Sequence, residues 1–211
     1  MKSETPLLLQ TYAWGHDHLR PISKGAQNWF GLGLTLIDSL DTMYIMNLRN
    51  EFDEAKDWVA ENLSFSINKV NVINYSKSLL ILKRKFFYSS LQDVNLFETT
   101  IRVLGGLLSA FHLSAENIFL EKAKDLGTRL MGAFTSASGI PYSDVNLKST
   151  RGHAPKWSPD SSTSEVTTIQ LEFRDLGRCL KDDSNFESAV SKISDIIHTL
   201  GKTEGKHLLN R

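Results

Sequence analysis

Four residues carry the chemistry that this sequence offers. Glu98 and Arg102 stand one helical turn apart in "VNLFETTIRVLGGLLSAFHL" (94–113), Asp38 lies in "LIDSLDTMYIM" (36–46), and Glu165 lies in "DSSTSEVTTIQLEF" (160–173). A carboxylate inside an apolar segment caps a neighbour, pairs with a base or lines a polar cavity. An acid and a base at i,i+4 ordinarily form a surface pair. An acid in the first turn of a helix that opens on Ser and Thr is favoured by the dipole. Each residue thus has a structural reading beside a chemical one. Gly105, Gly106 and Ser109 weaken the purely structural reading, because they follow Glu98 and Arg102 on one face and leave that face low enough for a ligand or another helix to approach. Several acids, one arginine, and the rings of Tyr142 and Trp157 on a long loop suit a carbohydrate pocket, where acids accept sugar hydroxyls and rings stack on apolar sugar faces.

Two other motifs offer less. "GLGLTL" (31–36) lacks the third glycine and the preceding strand of a dinucleotide loop. His16-Asp17-His18 has the donors for a metal, but alternate residues face apart on a helix and no further ligand lies close in sequence. A hydrogen-bonded or solvated turn is the better reading.

The elements that position these residues are helical. Apolar spacings of three and four mark candidate helices at roughly 26–48, 51–63, 93–112, 115–135, 161–181 and 184–200. In the third, Phe97, Ile101, Leu104, Leu108 and Phe111 form the expected buried stripe. No run of alternating strands stands out. The helices pair as hairpins, which gives an all-α chain built as an α/α toroid, a bundle or a solenoid. In a toroid alternate helices form the inner ring, so Asp38, Glu98 and Glu165, each on the first helix of a hairpin, would face one cavity. Two segments interrupt the pattern. Residues 136–160, rich in Pro, Ser and Gly, read as a long ordered loop with room for a short hairpin. Residues 66–92 carry basic but no acidic side chains and read as an insertion, with a basic surface segment as the other possibility.

Bulk properties narrow the partners. Lys plus Arg and Asp plus Glu number 24 each, a balance that gives no support to a nucleic-acid partner. No stretch is long and apolar enough to be a transmembrane segment, and Met1 to Gln10 lacks the basic start and apolar core of a secretory signal. The one cysteine, Cys179, has no partner for an internal disulfide. Asn62 and Asn74 sit in N-glycan acceptor tripeptides, a short and common pattern.

Five stretches in order resemble the class I α-1,2-mannosidases, glycoside hydrolase family 47: "YAWGHDHLRPIS" (12–23), "GLGLTLIDSLDTMYIMNL" (31–48), "DVNLFETTIRVLGGLLSAFHLS" (93–114), "GIPYSDVN" (139–146) and "SEVTTIQLEFRDLGR" (164–178). The resemblance implies part of an (α/α)7 barrel. It also implies an inverting hydrolase that trims terminal α-1,2-linked mannose from high-mannose N-glycans, with a calcium ion (Ca2+) on the sugar hydroxyls. Glu98 falls on the family's proton donor, which acts through a water, and Arg102 on the arginine beside it. Asp38 and Glu165 match acids of the substrate pocket, and the glycine face would border the cavity. The family works in the endoplasmic reticulum or Golgi lumen.

The departures from the pattern set further expectations. The chain reads as the N-terminal part of the catalytic domain over 1–211, interrupted at 66–92. The catalytic base, a second acid and the calcium-binding threonine belong to later family segments not matched here. Inversion requires one carboxyl to protonate the leaving oxygen and another to activate water roughly 6.5–9.5 Å away, and Glu98 cannot do both. A chain with Glu98 alone is expected to be inactive, and a lectin-like or dominant-negative relative is the alternative.

Overall fold

The computed structural model describes residues 8–65, 93–156, 158, 160–181, 184–200, 202–203 and 206–207. The insertion read at 66–92, and Trp157, lie outside the described residues.

After a helical turn at Leu9–Ala13, strands β1 (His18–Arg20) and β2 (Gly25–Gln27) form an antiparallel hairpin, and α1 (Leu34–Asp38) and α2 (Leu40–Ile45) come after it. The helix expected from residue 26 therefore begins only at Leu34. Asp17 causes the delay. Its carboxylate is fully buried and accepts six successive backbone N–H groups, from Trp29 to Leu34, at 2.5–3.2 Å. Its own carbonyl accepts the Thr35 N–H and hydroxyl. Backbone donors held by one carboxylate cannot enter a helical ladder, and Gly31 and Gly33 supply the positive φ angles, 72° and 71°, that wrap the loop around it. The His16-Asp17-His18 motif is thus a hydrogen-bonded turn in which Asp17 is buried and both histidines are partly exposed.

Helix α3 (Arg49–Asn62) completes the first hairpin with α2. The next run opens with strand β3 (Asp93–Asn95) and continues through α4 (Leu96–Glu98), a π-helical stretch at Thr99–Leu104 and α5 (Gly105–Ser114). Asn95 ends the strand and starts the helix, because its side chain accepts the Glu98 N–H at 2.9 Å. A π turn inserts an extra residue and rotates the rest of the helix about its axis. The expected buried stripe shifts accordingly: Val103, Leu104, Leu107, Leu108 and Ala110 are buried, whereas Ile101 reaches solvent.

Helix α6 (Asn117–Leu130) packs back on α5 and runs into a 3-10 turn at Met131–Thr135. The long loop then forms β4 (Asp144–Asn146) and β5 (Arg151–His153), which join β3 in the antiparallel order β3-β4-β5. These strands are a departure from the purely helical reading, and at three residues each they are too short to show alternation. The last hairpin consists of α7 (Thr163–Thr168) and α8 (Gln170–Leu180), packed on α9 (Ser184–Thr199). A short antiparallel pair, β6 (Lys202–Thr203) and β7 (Lys206–His207), comes last. Phe65, Phe119 and Phe173, with Leu34, Leu36, Leu104, Leu107, Leu126 and Leu130, form the centre of one continuous core.

Candidate functional site

Strands β3 and β4 and the start of α4 shape a cleft of about 370 Å³. Its wall includes Asp93, Asn95, Glu98, Asp144 and Glu165, with Trp29 and Phe30 as its aromatic side. The local sequence explains the arrangement. Asn95 turns the chain from strand to helix, which sets Glu98 three residues past the sheet edge. Cross-strand pairing of Asn95 with Asp144 puts a second acid beside it. Glu165 arrives in the first turn of α7, which contacts α4. Two of the four residues singled out from the sequence therefore share one cleft. Among the described residues, neither the Glu98 nor the Glu165 carboxylate has a hydrogen-bonding or ionic partner.

The other two form a pair. Arg102 Nε and one terminal nitrogen bind Asp38 Oδ2 at 2.7 and 2.6 Å, so the partner of Arg102 is Asp38 and not Glu98. Next along the same interface, Ser109 donates to Asp41 Oδ2 at 3.0 Å. Gly106 lies between, where a Cβ would meet the backbone oxygen of Ile37 at 2.9 Å. Gly105 faces the Glu172 side chain instead. The glycine face expected to border a cavity is bare because α1 and α8 occupy it; Arg102 ties α1 to the π stretch, and Ser109 ties α2 to α5.

Sequence reasoning missed Asp93, Asp144, His153 and Trp29. His153 Nδ1 faces the Ala154 carbonyl at 3.0 Å, and Nε2 lies 3.5 Å from Asp93 Oδ1, which also accepts Asn146 Nδ2 at 2.9 Å. Acceptors at both nitrogens favour the imidazolium: the Ala154 carbonyl, and then Asp93, raise the His153 pKa above its ordinary value against the opposing cost of burial. Burial raises the Asp144 carboxyl above its ordinary range, a push that His153 opposes and Asp93 reinforces. Trp29 is half exposed and stacks on Phe30, with ring centroids 4.2 Å apart, presenting a flat apolar face. Tyr142 lines a small recess beside Phe97 and Glu165 rather than the cleft itself. The "SDVN" tetrapeptide at 143–146 was the available signal for Asp144, since Asp alternating with an apolar residue marks a short strand.

Fold and motif together point to one family, and the comparisons bear on it directly. A family model described as "Glycosyl hydrolase family 47" matches residues 9–209. The chain belongs to glycosyl hydrolase family 47. It is 52% identical over 197 residues to an endoplasmic reticulum mannosyl-oligosaccharide 1,2-alpha-mannosidase of Rattus norvegicus, covering 93% of this chain and 26% of the relative. It is 40% identical over 187 residues to a mannosyl-oligosaccharide 1,2-alpha-mannosidase of Arabidopsis thaliana, covering 87% and 29%. Its structure matches an alpha-1,2-mannosidase from Trichoderma reesei with a TM-score of 0.74 at 25% identity, over 95% of this chain and 39% of that one. The family 47 chain thus adopts part of the (α/α)7 barrel. It spans about a quarter of the length of the curated relatives it matches.

Calcium needs about six to eight oxygen ligands around one point. Among the described residues no three carboxylates of the family 47 cleft converge in that way. The trio that does converge, His112, Asp175 and Cys179, offers nitrogen and sulfur, a poor set for a hard cation.

Proposed function

We propose that these 211 residues are the part of an α-1,2-mannosidase catalytic domain that supplies the proton donor for trimming terminal α-1,2-linked mannose from high-mannose N-glycans. The domain is interrupted by an insertion at 66–92. The observation that carries the reading is the convergence of Glu98 and Glu165, both unpaired among the described residues, with Trp29 in one cleft. In this role Glu98 gives its proton, through a water, to the glycosidic oxygen as the bond from the anomeric carbon breaks. As that bond breaks, a second water attacks the carbon from the opposite face and passes its proton to a base carboxylate, for which no residue is assigned here, and the anomeric configuration inverts. Glu165 and Asp144 accept hydroxyls of the sugar, and Trp29 supports its apolar face. Asp38 and Arg102 act at one remove by fixing α1 against the π stretch just after Glu98. Calcium is assigned no residue of this chain and no step.

The names of the relatives support the substrate class and work in the endoplasmic reticulum. No helix among the described residues is long and apolar enough to cross a membrane. By themselves the 211 residues bind the glycan without turning it over, because proton donation and water activation need two carboxyls at an inverting enzyme's spacing and only the donor is assigned. The test is incubation of the purified chain with a high-mannose oligosaccharide. Retention of the glycan without release of free mannose is the expected result. Turnover that disappears in Glu98→Gln would mean that a second carboxyl here, Glu165 first, serves as the base.

A further inference from the structure

Away from the cleft, three side chains of different chemistry meet at one point between two helices. His112 stands in the last turn of α5, and Asp175 and Cys179 stand one turn apart on α8. His112 Nε2 lies 2.8 Å from Asp175 Oδ2 and 3.7 Å from Cys179 Sγ, and the three ligand atoms all fall within 4.8 Å of one another. The side chains of His112 and Asp175 are 51% and 31% exposed, so solvent reaches the point where they meet.

The arrangement is wrong for a nucleophilic triad. There the carboxylate holds Nδ1 and leaves Nε2 to activate the nucleophile. Here carboxylate and sulfur both converge on Nε2. One ring nitrogen carries one proton or one lone pair, so it can serve both neighbours only through a shared, weakened hydrogen bond. A cation among the three satisfies nitrogen, oxygen and sulfur at once. Zinc bonds these donors at roughly 2.0–2.3 Å, so tetrahedral ligands stand about 3.3–3.8 Å apart. The observed separations need adjustments of only an ångström or so to meet that geometry.

We propose that His112, Asp175 and Cys179 form a three-ligand site for a zinc-type divalent cation, with water as the fourth ligand, that clips α5 to α8. The mixed sulfur, nitrogen and oxygen set selects borderline-soft transition cations over calcium and magnesium. On binding, the metal–sulfur bond replaces the S–H bond and the thiol proton passes to the buffer, with no change in oxidation state. The clip joins neighbouring hairpins from the outside of the core, so the cation stabilises the fold without entering the cleft.

The test uses the whole chain, freed of metal by a chelator and titrated with cobalt(II), whose sulfur-to-metal charge-transfer absorption reports a thiolate ligand directly. One cobalt per chain with that band, displaced by zinc and accompanied by a rise in Tm, is expected. The near-isosteric Cys179→Ser removes the band while leaving the circular dichroism unchanged, and Asp175→Asn or His112→Ala weakens binding by more than about tenfold. Absence of the band, its persistence in Cys179→Ser, or an affinity in Asp175→Asn and His112→Ala unchanged from that of the parent chain would overturn the site and leave a thiol–imidazole–carboxylate hydrogen-bond network.

Discussion

Asp17 and Asp144 show two opposite fates of a carboxylate, and each yields a prediction. Asp17 is fully buried and satisfied by six N–H donors. Asp17→Ala orphans those donors together, and a loss of about 3 kcal/mol or more is expected in chemical denaturation. Asp144 is held above its ordinary range by burial, while His153 beside it is raised by its acceptors. For Asp144 the ionised form is penalised in the fold, so its cost at neutral pH is relieved as pH falls through its raised folded value. For His153 the contribution is full below the unfolded value of about 6.5 and is lost as pH rises through the higher folded value. Both act in one direction. Tm of the chain should gain from mild acidification, and His153→Gln should flatten the part of that gain that lies near and above neutrality. A Tm profile unchanged by His153→Gln would show that the cluster contributes nothing to the pH dependence. Asp38 with Arg102 belongs to a third class, a pair about a third exposed on its acidic side and worth at most about 1 kcal/mol. Asp38→Asn should therefore lower Tm only slightly.

At the scale of elements, the seam between α1, α2 and α5 depends on a missing side chain. Gly106→Ala would press a methyl onto the Ile37 backbone at 2.9 Å, and the helices must separate to admit it. A loss of about 1–3 kcal/mol is expected. A neutral outcome would show that α1 is not held against α5. The same seam shows what the sequence could and could not disclose. Glycines and a serine one turn beyond an acid and a base announced a close approach, but spacing along one helix does not say whether a ligand or a second helix fills the gap. Periodicity located the hairpins well where helices are long, as at 115–135 and 184–200. It failed where a distant group took over the backbone. Residues 26–33 have helical spacing, yet Ala26 and Gln27 pair in β2 and Asp17 claims the N–H groups from Trp29 onward. The π stretch likewise moved Ile101 to the surface with no sign in composition. Glu98 and Glu165 were legible because the motif around each is long. Trp29 reaches the cleft through a loop, which carries no periodic signal, and Asp144 through a three-residue strand whose only mark in the sequence is the short "SDVN" alternation.

For the whole molecule, the described residues build a wall of the family 47 barrel whose cleft is proposed to grip a mannoside by way of Trp29, Glu98 and Glu165. Because the cleft carboxylates do not converge on a common cation, adding calcium to the chelated chain should leave Tm unchanged, and a rise of several degrees would require a calcium cage that includes residues of this chain. The most direct test of this glycan-binding role is an NMR titration of the whole 15N-labelled chain with α-1,2-mannobiose, with the Trp29 indole signal assigned through Trp29→Phe. The predicted result is that this indole and the amides of Asn95 and Glu98 shift together and saturably, and that Glu165→Gln weakens the response. Saturable shifts confined to residues outside the cleft, or no response of Trp29 while the chain remains folded, would contradict it.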